Sequence, residues 1–413
     1  MKLFRYFLTS LSAILLLGTL SACSQAKTTT NKRVTITFWH GMTGDHQQAL
    51  NKMIQDFNHS QSTYKVVGSS QGNFGNVQQK ITAAAKSHTL PTMAQTTYTD
   101  VPDYVHGNFI VPLNAYVDSA KLKQVVPSLR QSSQYQGKTY AWPFSKSARI
   151  LFYNRDLLKK TGLRVPRTWG ELQRDSVRAK AQGLNGLALD QSFTAELNNL
   201  ATQAGTPLMT PHPQLTSPKM IAATHVITDM LKQKTATTAG TDGFGNVKFF
   251  KGKTLFYSGS SAALGIMAAS TPKGFHWRTA VLPSYRGKSA TSISGNDLVL
   301  FKSASKAQRK GAAAFMQFLL TKRETVKWAK ATGYLPLTKT ALKSQDYRQY
   351  LAKNPTAKAA VKSLPIGFQD KAFYGYSTQL NAVNQTVSQL STLEVTPEKG
   401  LAQLKAQLNR EQK

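Results

Sequence analysis

The sequence predicts an α/β fold with parallel β-strands, arranged as two lobes and not as two domains in series. Segments that alternate apolar and polar residues are followed by segments with helical periodicity, and this order repeats along the chain. A strand, a helix and a strand at this spacing form a βαβ unit, which implies a parallel sheet with right-handed crossovers. The chain is longer than one compact core usually spans, and no Pro- or Ser-rich linker divides it. We therefore expect lobes that are joined by several crossings of the chain.

The first βαβ unit is predicted between residues 33 and 70. The segment RVTITFWHGM (33–42) has the alternation and the β-branched residues of a strand. The next segment, DHQQALNKMIQDFNHS (45–60), has apolar residues at helical spacing, and we expect Asp45 to cap this helix. The segment YKVVGSS (64–70) completes the unit as a second strand.

The same alternation continues to residue 333. Helices are predicted at 77–87, at 168–183 and, as a pair, at 306–333; a strand is predicted at 91–98; a strand leading into a helix is predicted at 148–162 and at 254–270. Thr168 is expected to cap its helix, because a threonine at this position can bind the free N–H groups of the first turn. Three glycines are each expected to end a predicted helix: Gly162, Gly183 and Gly333.

The first residues have the layout of a secretory signal. A short cationic start is followed by an apolar stretch that is shorter than the ~20 residues needed to span a bilayer, and then by small residues. The segment LSAC (20–23) resembles the lipobox of bacterial lipoproteins, and Cys23 is the only cysteine in the chain. We interpret 1–22 as a lipoprotein signal peptide, Cys23 as the lipidation site and 23–33 as a flexible tether. A single cysteine also excludes a disulfide within the chain.

The balance of charges is strongly basic, with 52 Lys+Arg against 19 Asp+Glu and a formal net charge of +33. Such an excess attracts polyanions. The basic residues are scattered singly, however, and the sequence has no Arg-rich arm, no zinc-spaced Cys/His set and no RNP-type strand. We expect no nucleic-acid partner, because the anchor would place lipid headgroups and anionic wall polymers nearer.

Motifs of catalysis are weak or incomplete. The segments SASK (303–306) and KTG (160–162) match parts of the penicillin-recognising pattern, but in the reverse order and without an S-D-N. No G-x-S-x-G and no H-E-x-x-H occurs. His40, Asp45 and His46 are a conceivable metal set, although a strand end and a helix start explain them as well. We expect a protein that is not an enzyme and that needs neither a metal nor a cofactor.

The chain resembles the extracellular solute-binding proteins of ABC importers, and in particular their glycerol-3-phosphate-binding subgroup. The resemblance begins at TFWHGMTG (37–44) and continues, in the order of the family, at QGNFGN (71–76), WPFSKSARILFYNRDLLKKTGL (142–163), KFFKGKTLFYSGSSAAL (248–264), ISGNDLVLF (293–301) and ATGYLPLT (331–338). It implies a periplasmic-binding-protein-like fold, with two α/β lobes joined by several hinge crossings around a ligand cleft.

The resemblance also implies the lobe boundaries. The N-terminal lobe would comprise 34–143 plus 290–335, and the C-terminal lobe 144–289 plus 336–413. The crossings would lie near Pro143-Phe144, between Ser284 and Ser294, and near Leu335-Pro336. Closure about such a hinge is the working motion expected of this fold.

Thirteen residues are implied as ligand contacts, and they are aromatic, hydroxyl-bearing, cationic or glycine. Aromatic rings shield a polyol or stack on a sugar, hydroxyls bind phosphate oxygens, and a glycine lets the backbone approach the ligand. These residues are Trp39, His40, Phe74, Tyr98, Ser145, Lys146, Ser147, Ser258, Ser260, Ser261, Gly295, Tyr334 and Phe373.

Three positions depart from the pattern of the subgroup. Phe74 stands where a tyrosine is usual, Tyr98 with its neighbour Thr97 replaces an acidic residue, and Phe373 stands where an arginine would help to hold phosphate. Lys146 or Arg149 could compensate for that arginine, although Arg149 begins the predicted strand at 148 and can equally face solvent.

The sequence therefore leaves two classes of ligand open. The first is glycerol-3-phosphate or a glycerophosphodiester, and the alternative is an oligosaccharide, favoured by the number of aromatic residues at predicted cleft positions. An exported hydrolase and a polyanion-binding adhesin are the remaining alternatives. As a solute-binding protein the chain would act as a monomer, lipid-anchored at the extracellular face of the cell membrane, with ABC permease subunits as partners.

Replacing Cys23 with Ser should prevent lipid attachment. Without the thiol there is no acceptor for the acyl group, so we expect the protein to leave the membrane fraction or to stay unprocessed. Metabolic labelling with a radioactive fatty acid measures this, with the unsubstituted chain as the positive control. Normal labelling of Cys23→Ser would contradict the lipobox interpretation.

Overall fold

The computed structural model of the protein describes residues 33–411. The predicted signal peptide, Cys23 and the tether up to residue 32 lie outside the described residues. Among the residues that are described, none of the helices is both long and apolar enough to cross a membrane.

The described chain contains twelve strands and eighteen helices, together with short 3-10 and π turns. The strands are β1 (Val34–His40), β2 (Tyr64–Ser70), β3 (Met93–Thr96), β4 (Gln134–Tyr135), β5 (Lys138–Thr139), β6 (Trp142–Asn154), β7 (Asn185–Leu189), β8 (Ala236–Thr238), β9 (Thr254–Ser260), β10 (Trp277–Val281), β11 (Thr291–Leu300) and β12 (Gly367–Phe368). The helices are α1 (Gly44–Ser60), α2 (Phe74–Ser87), α3 (Val101–His106), α4 (Ser119–Lys123), α5 (Pro127–Arg130), α6 (Arg155–Thr161), α7 (Trp169–Lys180), α8 (Thr194–Ala204), α9 (Pro218–Lys232), α10 (Asn246–Lys248), α11 (Leu264–Ala269), α12 (Lys306–Leu319), α13 (Lys322–Thr332), α14 (Lys339–Leu342), α15 (Gln345–Lys353), α16 (Lys358–Lys362), α17 (Tyr376–Ser391) and α18 (Pro397–Glu411).

Two long strands connect two groups of parallel strands. The order along the main sheet is β2-β1-β3-β11-β6-β9-β7-β8. Strand β1 is parallel to β2 and β3, and β7 is parallel to β8 and β9. Strand β11 is antiparallel to both β3 and β6, and β6 is antiparallel to β9. The mixed α/β class is therefore confirmed, and we propose that the lobes meet along β6 and β11, at the boundaries that the resemblance implies.

The buried apolar side chains form two large clusters, and the first of them spans both groups of strands, because it also includes Ala188 of β7 and Tyr257 of β9. The first large cluster of buried side chains includes Phe38 and Leu300 from the sheet and Phe315 from α12. The second includes Leu187 and Phe256 and receives side chains from helices α7, α8, α9, α17 and α18. Burying these side chains removes apolar surface from water. This hydrophobic effect is the main contribution to the stability of the fold.

Most predicted helix ends are confirmed, and two local predictions are wrong. The Thr168 side chain accepts a hydrogen bond from the Glu171 N–H and caps α7 as expected. Asp45 does not cap α1, because Thr43 occupies the N-cap position and Asp45 lies within the first turn. Arg149 does not begin a strand, since it is an interior residue of β6, which starts seven residues earlier at Trp142.

Three chain segments, each close to one of the predicted crossings, meet at Lys146. Gly295 of β11 pairs with Lys146 of β6, and the Leu335 N–H donates to the Lys146 carbonyl oxygen at 2.8 Å. Gly295 has a φ of +119°, and a Cβ atom there would lie 1.9 Å from the Ser145 carbonyl oxygen. Only glycine fits this close approach of the two backbones.

Replacing Gly295 with Ala should lower the free energy of unfolding by about 3 kcal/mol or more, since it adds a backbone clash to an unfavourable φ. Gly287→Ala is the matched control, because Gly287 also has a positive φ, of +74°, but its Cβ would meet nothing within 4 Å. The control substitution should lower the free energy of unfolding by only about 1 kcal/mol. Urea unfolding of both variants measures the difference, and equal losses would contradict the role assigned to the close approach.

Candidate ligand site at the crossing strands

The structure brings seven of the predicted ligand residues together around the crossing of β6 and β11. They are Tyr98, Ser145, Lys146, Ser147, Ser260, Ser261 and Gly295. The Ser260 hydroxyl donates to the Ser147 hydroxyl at 3.0 Å, and the Ser261 hydroxyl accepts from the Ala148 N–H at 3.2 Å. The Lys146 Nζ lies 5.6 Å from the centre of the Tyr98 ring. Hydroxyls, a cation and an aromatic ring from three separate parts of the chain thus share one place in the fold.

Lys146 forms a fully buried ion pair with Asp297. Its Nζ lies 2.7 Å from the Asp297 Oδ2, and both side chains have an exposed fraction of 0%. Burial raises the pKa of the Asp297 carboxyl, and the neighbouring lysine opposes that shift. The positive charge of Lys146, which we predicted as a supplementary phosphate-binding cation, is balanced by Asp297 in this structure.

Arg149 is also occupied within the protein. Its guanidinium lies 2.9 Å from the Asp190 carboxylate and 2.7 Å from the Glu196 carboxylate. The Ser258 hydroxyl donates to the same Glu196 oxygen at 2.6 Å. The alternative that Arg149 faces solvent is therefore wrong, because two carboxylates hold its side chain inside. Ser258, predicted as a ligand residue, positions one of those carboxylates.

Several buried polar atoms at the crossing have no hydrogen-bond partner within residues 33–411. They are the Ser145 Oγ, both side-chain polar atoms of Asn296, and the Asp297 Oδ1. Ser145 and Asn296 are cross-strand partners, so their side chains share one face of the sheet. The register shifts between Asn296 and Asp297, as in a β-bulge, a feature that often re-aims side chains beside binding sites.

Leaving such atoms unpaired is costly. Each buried polar group without a partner costs about 1–3 kcal/mol, so proteins keep few of them. Ser145, Asn296 and Asp297 therefore form the kind of cluster that a ligand with hydroxyl groups would satisfy. Asn296 and Asp297 were missed by the sequence analysis, although a charged residue inside the apolar strand NDLVLF (296–301) was a usable signal.

The predicted aromatic contacts at the start of the chain lie elsewhere. Among the described residues, no hydrogen bond or ring contact joins Trp39, His40 or Phe74 to Lys146 or its neighbours. The Trp39 ring packs against the apolar residues of a third cluster, between α2 and α3, while Phe74 lies over Gly41. The His40 ring packs 5.5 Å from Phe38, and burial lowers its pKa to about 4.

Tyr334 and Phe373 each pack against another aromatic ring. The Tyr334 ring stacks on Trp328, with ring centres 5.9 Å apart, and the next residue binds Lys146 through its backbone. Phe373 lies 5.3 Å from the Tyr376 ring and lines an open cavity of about 950 Å³, together with Asp103 and other residues of α3 and α17.

Tyr98 is linked to a polar group from the second half of the chain. Its hydroxyl accepts from the Asp370 N–H at 3.2 Å. The Asp370 carboxylate accepts from the Tyr376 hydroxyl and from the Asn198 side-chain amide, both at 2.9 Å. Burial raises the pKa of the Asp370 carboxyl. The sequence analysis did not find Asp370, Tyr376 or Asn198. Asp370 is 172 residues from Asn198 and 272 from Tyr98, so no local pattern relates them.

The conceivable metal set is not assembled. Within the described chain no group of three or more His, Cys, Asp or Glu side chains is placed to hold a metal ion. His40 is at the end of β1, while Asp45 and His46 lie in the first turn of α1.

A family model identifies the class to which this protein belongs. The family described as bacterial extracellular solute-binding proteins matches residues 52–359, three quarters of the chain, and the chain belongs to this family. Its members bind small solutes for ABC importers and do not catalyse reactions, so the expectations of a permease partner and of a protein that is not an enzyme are confirmed.

The chain is similar to several glycerol-3-phosphate-binding periplasmic proteins named UgpB. It is 28% identical to that of Brucella melitensis over 78% of each chain, and 25% identical to that of Yersinia enterocolitica over 89% of each chain.

Among solved structures, the cyclic α-maltosyl-1,6-maltose binding protein of Arthrobacter globiformis has a TM-score of 0.80 at 24% identity, covering 92% of this chain and 98% of its own. UgpB of Mycobacterium tuberculosis in complex with glycerophosphocholine has a TM-score of 0.79 at 21% identity, covering 91% and 97%. These structural likenesses confirm the fold.

Breaking the buried ion pair should destabilise the protein strongly. Lys146→Met leaves a buried carboxylate without its partner, and Asp297→Asn leaves a buried ammonium, so each single change should cost about 3–5 kcal/mol in the free energy of unfolding. The double variant should cost clearly less than the two losses combined, because no isolated charge remains. Urea unfolding of all four proteins measures this coupling, and additive losses would show that the two charges do not interact.

Proposed function

We propose that the protein captures a glycerol-3-phosphate-like solute, most favourably a glycerophosphodiester, at the crossing of β6 and β11 and delivers it to an ABC permease. The observation that supports this most is the cluster of unpaired buried polar atoms on Ser145, Asn296 and Asp297. The vicinal hydroxyls of a glycerol group both donate and accept, so they match a hydroxyl, an amide and a carboxylate oxygen. Relatives over most of the chain carry the name of glycerol-3-phosphate-binding proteins.

The charges around the site favour a phosphodiester over a phosphate monoester. A monoester carries nearly two negative charges at neutral pH, whereas a diester carries one. Lys146 and Arg149, the two cations considered for this role, are each balanced by carboxylates. The Ser147 hydroxyl accepts from Ser260 and so keeps its own proton to donate to an oxygen of a singly charged phosphate. A dianion would need an additional free cation.

The location and the capture step complete the proposal. Lipidation at Cys23 would hold the monomer at the outer face of the cell membrane, close to the permease. The formal charge of +33 would attract anionic solutes from a distance, an effect that salt weakens. Closure would occur by hinge bending at the three chain segments that meet beside Lys146.

An oligosaccharide is the second candidate, and one observation favours it. Phe373 replaces the expected phosphate-holding arginine and lines the cavity of about 950 Å³, a volume that suits more than a glycerol group. Aromatic side chains are suitable surfaces for sugar rings. A sugar in this cavity would contact Phe373 and Asp103, which line it.

Thermal unfolding with a panel of solutes tests the proposal. A ligand at 100 times its dissociation constant adds about 2.7 kcal/mol to the stability of a protein that binds it only when folded. We expect an increase in Tm with glycerophosphocholine and glycerophosphoglycerol, a smaller one with glycerol-3-phosphate, and none with malto-oligosaccharides. The opposite pattern would favour the oligosaccharide.

Two variants test whether the increase in Tm comes from binding at the proposed site. Asn296→Ala should reduce the affinity for the effective solute about tenfold or more, because hydrogen bonds to its side chain are lost. Asn51→Ala is the matched control, since Asn51 is exposed on α1. An unchanged affinity in Asn296→Ala would place the binding site elsewhere.

A further inference from the structure

Residues 369–377, here called the strap, join β12 to α17 and contact both halves of the molecule. Towards the first half, the Gly375 N–H donates to the Asp103 carboxylate at 2.9 Å, and the Ser377 hydroxyl donates to the Asp100 carboxylate at 2.8 Å. The Asp370 N–H donates to the Tyr98 hydroxyl at 3.2 Å. These three bonds connect the strap with a single short stretch, residues 98–103.

Towards the second half, the strap is fixed by a polar and an apolar contact. The Asp370 carboxylate accepts from Asn198 of α8. Phe373 packs against the second apolar cluster, and Tyr376 is one of its buried members. Because the strap is held on both sides, separating residues 98–103 from α8 and α17 requires its hydrogen bonds to break.

The strap binds a side chain of the candidate ligand site, Tyr98. The Tyr98 hydroxyl accepts from Asp370, and the Tyr98 ring lies beside Lys146. The Asp370 carboxylate is an anion bound by a hydroxyl and an amide, which is the chemistry that a phosphate would use. The Asp370 carboxylate thus binds hydrogen-bond donors beside the candidate site, as the anionic group of a solute would.

We propose that the strap is an autoinhibitory latch, which holds the two halves together without a solute and which an anionic solute must release by displacing Asp370. The position of the solute rests on the proposed function, while the latch itself does not. Loosening the strap should therefore increase local opening in the protein alone and speed the association of the solute.

The latch should respond to pH because it contains three carboxylates that are buried or half-buried. Burial raises the pKa of Asp100, Asp103 and Asp370, and no basic side chain pairs with any of them among the described residues except the nearby His106, which lowers the pKa of Asp103. The other charged groups that face the contact are Lys146 and Asp297, which neutralise each other.

The direction of the pH effect follows from the raised pKa values. The latched form binds protons more tightly than an open form in which these carboxyls are in water. Acidification therefore stabilises the latch, and the latch weakens as the pH rises through the raised pKa values.

Hydrogen exchange of the full chain without any solute tests the latch directly. Asp370→Ala should increase the exchange of residues 98–103 and 369–377 about tenfold or more, while the protection of β1 and β9 stays unchanged and shows that the variant is folded. Asp242→Ala, which removes an exposed carboxylate, is the control and should behave like the unsubstituted protein. Unchanged exchange at the strap in Asp370→Ala would overturn the latch.

A second variant separates the charge of Asp370 from its contacts. Asn at this position still accepts hydrogen bonds from Tyr376 and Asn198 but does not titrate. After correction for intrinsic exchange, opening of the unsubstituted strap should increase as the pH rises above the usual range of a carboxyl pKa, and Asp370→Asn should show less of this increase. An equal or greater increase in Asp370→Asn would overturn the role of this carboxylate.

Solute association distinguishes failure of the latch from failure of the proposed function. With glycerophosphocholine as the probe, stopped-flow measurements should give severalfold faster association for Asp370→Ala than for the unsubstituted chain. A slower or equal rate, with normal exchange elsewhere, would overturn the competition between Asp370 and the solute. If the probe does not bind at all, the proposed ligand is wrong, and the exchange experiment still decides on the latch.

Discussion

The arrangement of both halves depends on the buried ion pair between Lys146 and Asp297. It joins β6 to β11 at the point where each strand passes from one group of parallel strands to the other. Two charges inside a protein are stable only as partners in good geometry, and a slip of one residue along either strand would separate them. The pair thus specifies the register of the two strands that the rest of the sheet extends.

Carboxylates are scarce in this chain and are concentrated beside the crossing strands. Of the 19 acidic residues, six are buried or half-buried at this region or next to it. They are Asp100, Asp103, Asp190, Glu196, Asp297 and Asp370. The basic residues, in contrast, are distributed along the whole sequence, and the two at the crossing, Lys146 and Arg149, are paired with carboxylates.

Local features could be predicted from the sequence, whereas contacts between distant segments could not. The cap at Thr168 and the ends at Gly162 and Gly333 depend on a few neighbouring residues, and they were found. The partners Lys146 and Asp297 are 151 residues apart, and Tyr98 and Asp370 are 272 apart, so no local pattern relates them. Resemblance to a family placed Lys146 and Tyr98 near the site, but it did not reveal that both side chains already have partners within the protein.

The pairing of β3 with β11 has a consequence for how the chain folds. Met93 pairs with Leu300, so a strand near the start of the first half is completed by one that is synthesised about 200 residues later. Contacts of such long range slow folding, because a large loop must close before they stabilise anything. During synthesis, the first half therefore cannot complete its sheet until most of the chain has been made. Until then its unpaired strand edges need protection from aggregation and from proteases.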